Sequence, residues 1–406
     1  MKTEEFTKHP EVQKIIKDLK SKNFIVSDVL DEEGNQYVDL VQEGGGVLGI
    51  ALLGYTYVLE QVGIRFFSLA GTSAGAINTM LLASVDEINK PKTEEIIDYL
   101  ANQNLLDFVD GPLSVKNFLD AVRNNSSILS KTWWGLWSLK YFFNHEGLNP
   151  GEKFREWIFE ILKKNNINST SDLSTLRRVP KGLKIRDGVN RNIDGLIPQL
   201  KIIAAEITTE SRVIFPEMNK LFWKEPGKVS PADYVRASMS IPLFFLPFKV
   251  KTDNLNTKDW YECVRFEGNP PAESVFVDGG VLSNFPIDVF HNSKIVPRLP
   301  TFGVKLGDDR NVLNIVDKIP KFLMAIFNSA RHILDYKFLL ENRDFENLIT
   351  KIDTGEHNWL NFSMPDKDKL DLFKRGAEAA SKFLTEFDWA KYKHIREELL
   401  KPDLPE

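Results

Sequence analysis

Ser73 stands at the centre of Gly71-Thr72-Ser73-Ala74-Gly75, a Gly-x-Ser-x-Gly pentapeptide. Apolar residues run into it from Ile64 through Phe66, Phe67 and Leu69, and a small-residue helical pattern runs out of it over 74–84. Strand, sharp turn and helix in that order strain the serine backbone and push its hydroxyl out at the carboxyl end of the strand. Glycines at 71 and 75 leave room for strand and helix to approach. The hydroxyl then sits at a helix N-terminus, where free N–H groups favour the negative charge that develops during acyl transfer. Glycine and serine also build ordinary turns, so this chemistry requires a base and an oxyanion site nearby.

A second glycine stretch, Gly44-Gly45-Gly46-Val47-Leu48-Gly49, follows a short apolar strand over 38–41 and precedes a buried helix over 50–59. Its spacing fits the Gly-x-Gly-x-x-Gly dinucleotide fingerprint. That use needs an acid at the end of the second strand to hold a ribose hydroxyl, and the second strand ends instead in Ala70-Gly71-Thr72-Ser73. Three successive glycines expose several backbone N–H groups in one concave loop, the shape an oxyanion requires. A tight turn without a ligand is the plain alternative.

For the base, none of the six histidines (His9, His145, His291, His332, His357, His394) stands in a recognisable catalytic frame. His291 follows Asp278 in the chain order of α/β-hydrolases, but its stretch 287–291 reads as a helix with a partly exposed histidine. Asp278 is the better base. The strand 274–277 delivers Asp278-Gly279-Gly280 to a strand end, and desolvation beside an apolar slot lets the carboxylate take a proton directly from serine.

The elements that must position these groups alternate as strand, glycine loop, helix, strand, serine turn and helix, the order of a parallel α/β sheet with ligands at the strand carboxyl ends. Residues 1–36 read as a helical lead-in with Val12, Ile15, Ile16 and Leu19 on one face, then a turn at 32–35. Over 88–164 the pattern is helical, with an aromatic concentration at Trp133, Trp134, Trp137, Tyr141, Phe142 and Phe143 that reads as core or as a lid meeting acyl chains. Arg177, Arg178, Lys181, Lys184, Arg186 and Arg191 make a basic loop, solvated or recruiting anionic headgroups. Strands are expected over 200–207, 212–215 and 301–306, with an insertion or hairpin over 252–274. From 311 to about 400 the pattern is helical, packed on the same domain or forming a small cap.

Composition bounds the partners. The 406 residues are 42% hydrophobic with a formal charge of −5, enough for a real core and without general attraction for nucleic acid or anionic bilayers. Cys263 is the single cysteine, so no internal disulfide or multi-cysteine zinc site forms. The N-terminus lacks an apolar run of signal-peptide length and no stretch reaches transmembrane length, so the expectation is a cytoplasmic protein, peripheral at membranes when it meets lipid.

Taken together, the glycine loop, the elbow, the block Ala237-Ser238-Met239-Ser240-Ile241-Pro242, and Asp278-Gly279-Gly280 followed by Asn284 and Pro286 resemble the patatin-like phospholipases. The resemblance covers about residues 37–306. It implies a three-layer α/β/α sandwich with a mostly parallel sheet and hydrolysis of lipid acyl esters by a serine–aspartate dyad, without metal or cofactor. By position, Ser73 is the nucleophile, Asp278 the general base, and the N–H groups of Gly44, Gly45, Gly46 and Val47 the oxyanion hole, with Gly49, Gly71, Gly75, Gly279 and Gly280 as motif glycines. The implied organisation is a lead-in over 1–36, the hydrolase domain over 37–306 with an insertion at about 88–195, and a helical C-terminal region over 307–406. A phospholipid or other acyl lipid is the expected substrate, with transient membrane contact and an activating partner or ligand as further expectations; a catalytically silent lipid-binding module is the alternative reading. The chain departs from the family in having Leu48 where arginine or lysine is common, and Glu43 where aspartate is. Leu48 is expected to contact acyl chains.

Overall fold

The computed structural model describes residues 2–101, 103, 105–111, 147–189, 192–307, 313, 316–317 and 319–401. Its strands are Val29–Leu30 (β1), Gln36–Gln42 (β2), Ile64–Thr72 (β3), Gly147–Asn149 (β4), Lys184–Ile185 (β5), Leu200–Glu206 (β6), Ser211–Phe215 (β7), Leu243–Phe245 (β8), Phe248–Lys251 (β9), Glu273–Asp278 (β10), Thr301–Leu306 (β11) and Ile349–Ile352 (β12). Ten of them form one sheet with the order β12-β11-β2-β3-β6-β10-β9, β7 pairing with β6, and β1 with β2 and β5. From β12 to β6 every neighbour is parallel. The helices used below are Pro10–Lys20 (α1), Ile50–Gln61 (α2), Ala74–Ser84 (α3), Glu152–Lys164 (α4), Pro231–Ser238 (α5), Thr257–Val264 (α6), Ile319–Glu341 (α7), Asp366–Glu386 (α8) and Trp389–Leu399 (α9).

Alternation along the strands builds the layers, because successive side chains point to opposite faces. Val38 and Leu40 on β2, Phe66 on β3 and Phe302 and Val304 on β11 join the main core together with α2. Val41 and Ala70 join a second core with Phe285, Ile287 and Trp389 on the other face. Helices cover both faces, giving the α/β/α sandwich that the sequence leads one to expect. Helix α2 is buried along nearly its whole length, as a helix that is apolar all round must be. It lies between the sheet and α8. A Cβ on Gly54 would come within 1.9 Å of the Phe373 carbonyl oxygen, and one on Gly376 within 1.9 Å of that of Ala51. These two glycines let α2 and α8 meet backbone to backbone. Helix α1 packs on α8 through Val12, Ile16 and Leu19.

Several expectations need correction. The stretch from 311 onward is not helical throughout, because β12 adds a parallel edge strand beside β11. Four residues are too few for alternation to stand out. Strand β10 is antiparallel to both β6 and β9, so Asp278 arrives from the opposite direction to Ser73. The stretch expected as an insertion or hairpin does join two antiparallel strands, β9 and β10, and its connection 252–272 contains helix α6. Arg177 is not solvated. It is buried, donates to the Phe67 carbonyl oxygen, and burial lowers its pKa to about 10. Arg186 donates to the Ser27 carbonyl oxygen and to Gln36. These two cations hold strands rather than headgroups. The aromatic cluster 133–143, Arg191 and His145 lie outside the described residues. Among the described residues no helix is long and apolar enough to cross a membrane.

Candidate active site

Strand register brings serine and aspartate together. Thr72 on β3 lies opposite Ile203 on β6, and the next β6 residue, Ala204, lies opposite Asp278 on β10. Ser73 therefore leaves β3 level with Asp278, one strand away. Its backbone has φ 52° and ψ −116°, a conformation that costs a non-glycine residue on the order of 1–3 kcal/mol. Surrounding contacts enforce it. A Cβ at Gly71 would lie 2.4 Å from the Gly75 backbone, and one at Gly75 2.2 Å from the Gln42 carbonyl oxygen. The flanking positions tolerate hydrogen alone.

Ser73 and Asp278 line one recess, and the Gly280 N–H donates to Asp278 Oδ1 at 2.7 Å. Both residues are buried. Burial drives the Asp278 carboxyl above its ordinary range, against the lowering pull of Ser73, the Gly280 N–H and the Arg331 charge. The block 237–242 bridges the pair. Ser238 Oγ accepts the Ser73 N–H at 2.9 Å, and the Ser240 carbonyl oxygen accepts the Asp278 N–H at 2.8 Å. Arg236, buried in α5, holds this block by donating to Ser240 Oγ and to the Leu246 carbonyl oxygen.

Two cavities meet at Ser73. One is an apolar slot of about 80 Å³, lined in part by Leu53, Ile77, Phe108, Phe154, Met239 and Phe245. The other is a recess of about 30 Å³ against Gly45, Gly46, Asp278, Asn284, Arg331 and Trp359. Gly46, Ser73 and Ile241 line both. Gly49 and Val47 also line the slot. Leu48 does not; it is buried in the main core, so its expected acyl contact is withdrawn.

The glycine loop also needs revision. The Gly44 N–H donates to the Asn284 carbonyl oxygen and the Val47 N–H to that of Trp359, each at 3.0 Å. Two of the four expected oxyanion donors are thus already engaged, and the two that line the recess are Gly45 and Gly46. Glu43, just before the loop, is buried; its Oε2 accepts the Leu306 N–H at 2.7 Å and its Oε1 faces Lys305 Nζ at 3.6 Å. No described histidine lines either cavity. His291 packs edge-on against Phe338 and Phe345. Sequence reasoning reached Ser238 only as part of the block 237–242 and missed Arg236, Arg331, Asp335 and Trp359. The one visible signal was Arg236, a cation between Val235 and Ala237 in a short helix.

A strained serine elbow and a glycine loop at the carboxyl ends of adjacent parallel strands, with helices on both faces, define an α/β/α protein class. The family model for patatin-like phospholipases matches residues 40–291, and the chain belongs to that family of lipid hydrolases. A Bacillus subtilis (strain 168) protein, YqhO, is 28% identical over 358 residues, spanning 87% of this chain and 100% of the relative. Among solved structures, VipD from Legionella pneumophila aligns at a TM-score of 0.37 and 16% identity over 90% of this chain and 71% of its own. The ExoU–SpcU complex of the Pseudomonas aeruginosa type III secretion system aligns at 0.36 and 16%, over 86% of this chain and 52% of the other.

Proposed function

We propose that this protein hydrolyses acyl esters of lipids through Ser73 and Asp278. The observation that carries the reading is a strained serine sharing a recess with a buried aspartate, where that recess meets an apolar slot. The slot suits an acyl chain, and the recess suits the ester carbonyl and the alcohol. Ser73 Oγ attacks the carbonyl carbon while its proton passes to Asp278, and the carbonyl oxygen becomes an oxyanion facing the Gly45 and Gly46 N–H groups. Collapse expels the alcohol, which takes the proton from Asp278, and leaves an acyl-serine. Water then attacks that ester, giving its proton to Asp278, and the fatty acid departs as Ser73 is regenerated. A carboxylate lifted by burial is a stronger base than an exposed one. Phospholipids and other acyl lipids are the substrate class, reached by transient contact with a lipid surface.

The test is turnover of a panel of phospholipids, lysophospholipids and acylglycerols by wild type, Ser73→Ala and Asp278→Asn. Fatty acid release by wild type and a loss of at least about 10³-fold in each folded variant is expected. Undiminished release by either variant would overturn the assignment.

A further inference from the structure

Gly44, Gly45 and Gly46 carry no side chain to hold them, and glycine leaves its backbone free to rotate. The Gly44 peptide is gripped from the C-terminal helix α7. Arg331 Nη2 donates to the Gly44 carbonyl oxygen at 3.3 Å, and Asn284 Nδ2 donates to the same oxygen at 3.2 Å. Asn284 also accepts the Gly44 N–H through its carbonyl oxygen. Asn284 is itself fixed from α7, because Asp335 accepts the N–H groups of Asn284 at 3.0 Å and Phe285 at 2.8 Å, and the Ser283 hydroxyl at 2.8 Å. Arg331 and Asp335 are four residues apart, one turn, and so share a helix face. One face of one helix thus holds the loop on both sides of Gly44.

A peptide unit is planar and trans, so its C=O and N–H point in opposite directions. Fixing the Gly44 carbonyl therefore fixes the direction of the Gly45 N–H, one of the two donors lining the recess beside Ser73. A guanidinium also polarises the peptide it binds and strengthens that N–H as a donor. The Arg331 Nε is buried with no hydrogen-bond partner among the described residues, and the side chain lines the same recess. Within 44–49 there is no cationic side chain.

We propose that Arg331 is a positioning residue of the oxyanion loop, locking the Gly44–Gly45 peptide so that the Gly45 N–H meets the reacting carbonyl oxygen. The inference rests on the acyl-hydrolase reading above. It makes the region beyond 307 part of the catalytic apparatus rather than an appended cap.

The experiment compares full-length wild type, Arg331→Gln and Arg331→Lys in hydrolysis of p-nitrophenyl butyrate and in the rate at which a fluorophosphonate modifies Ser73. Loss of one aligned oxyanion donor lowers kcat by about 10²–10³-fold, so the misaligned donor in Arg331→Gln should cost about 10- to 100-fold in kcat. KM should stay within about threefold, and phosphonylation should slow in parallel because it passes through the same oxyanion. Arg331→Lys, with charge but no planar fork, should recover part of both rates. If Arg331→Gln does not fold, Arg331→Lys alone carries the test through its reduced kcat at unchanged KM. A kcat unchanged in the folded variants, or a loss residing in KM, overturns the positioning role while leaving the dyad standing. A wild type that is neither active nor labelled overturns both.

Discussion

Lys305 and Glu43 make a buried ion pair immediately before the glycine loop, and its removal has a calculable effect. Their side chains are 4% and 1% exposed and stand 3.6 Å apart. At that separation and an effective dielectric of about 20, Coulomb's law gives an attraction of about 5 kcal/mol. Desolvation offsets much of it, and the net worth of such a pair against an apolar replacement is near zero. Removing one partner is different, because it takes this counterion away from a buried charge, at about 3–5 kcal/mol. Lys305→Met is therefore expected to destabilise by about 3–5 kcal/mol. Glu43→Gln should cost less, because Lys305 also lies over the Phe285 and Tyr336 rings at 5.4 and 5.0 Å. The double variant should be more stable than additivity allows, by about 2 kcal/mol or more. Urea unfolding followed by tryptophan fluorescence and far-UV circular dichroism gives the cycle, coincident transitions validating the free energies. Additive single effects, with a coupling below about 0.5 kcal/mol, would refute the reasoning.

Two further outcomes follow from buried groups around the site. Asp335 is pushed up to about 7 by burial, opposed by the Phe285 N–H, the Ser283 hydroxyl and Lys305 and reinforced by Asp288. Its native form binds a proton more tightly than the unfolded chain does, so its contribution to stability falls as pH rises from about 4 to 7. The wild type minus Asp335→Asn difference in unfolding free energy, measured across that range, should decline with pH; a flat difference would contradict the assignment. Leu48→Arg should lower the yield of folded protein by placing an unpaired charge in the core, at several kcal/mol, instead of altering acyl-chain preference. A well-folded Leu48→Arg variant with a changed chain-length profile would show that the residue faces the slot after all.

What the sequence disclosed was local. The elbow was legible because an apolar run, two glycines and a small-residue helix are contiguous, and β3 and α3 fall where those residues place them. Asp278 was legible as a strand end, but the antiparallel course of β10 was not, since a strand's direction leaves no mark in its composition. In the sequence the N–H groups of 44–47 stand as four equivalent oxyanion donors. Which of them are engaged depends on Asn284 and Trp359, more than 200 residues away in the chain, and no spacing rule connects them to Gly44 and Val47. Nothing in the sequence sets Arg331 and Asp335 apart within the helical pattern that follows 311. Arg177 read as part of a solvated basic run because charge clusters usually are solvated, whereas in the fold it is spent on a strand carbonyl. Close-range chemistry was visible and long-range support was not.

The most direct measurement is intact-mass analysis of the full-length protein after exposure to a fluorophosphonate, comparing wild type with Ser73→Ala and Asp278→Asn. The account predicts a single adduct on wild type located at Ser73, none on Ser73→Ala, and labelling of Asp278→Asn slowed by at least about 10²-fold, as expected when a general base is removed. Rapid labelling of Asp278→Asn, or an adduct on any residue other than Ser73, would contradict it.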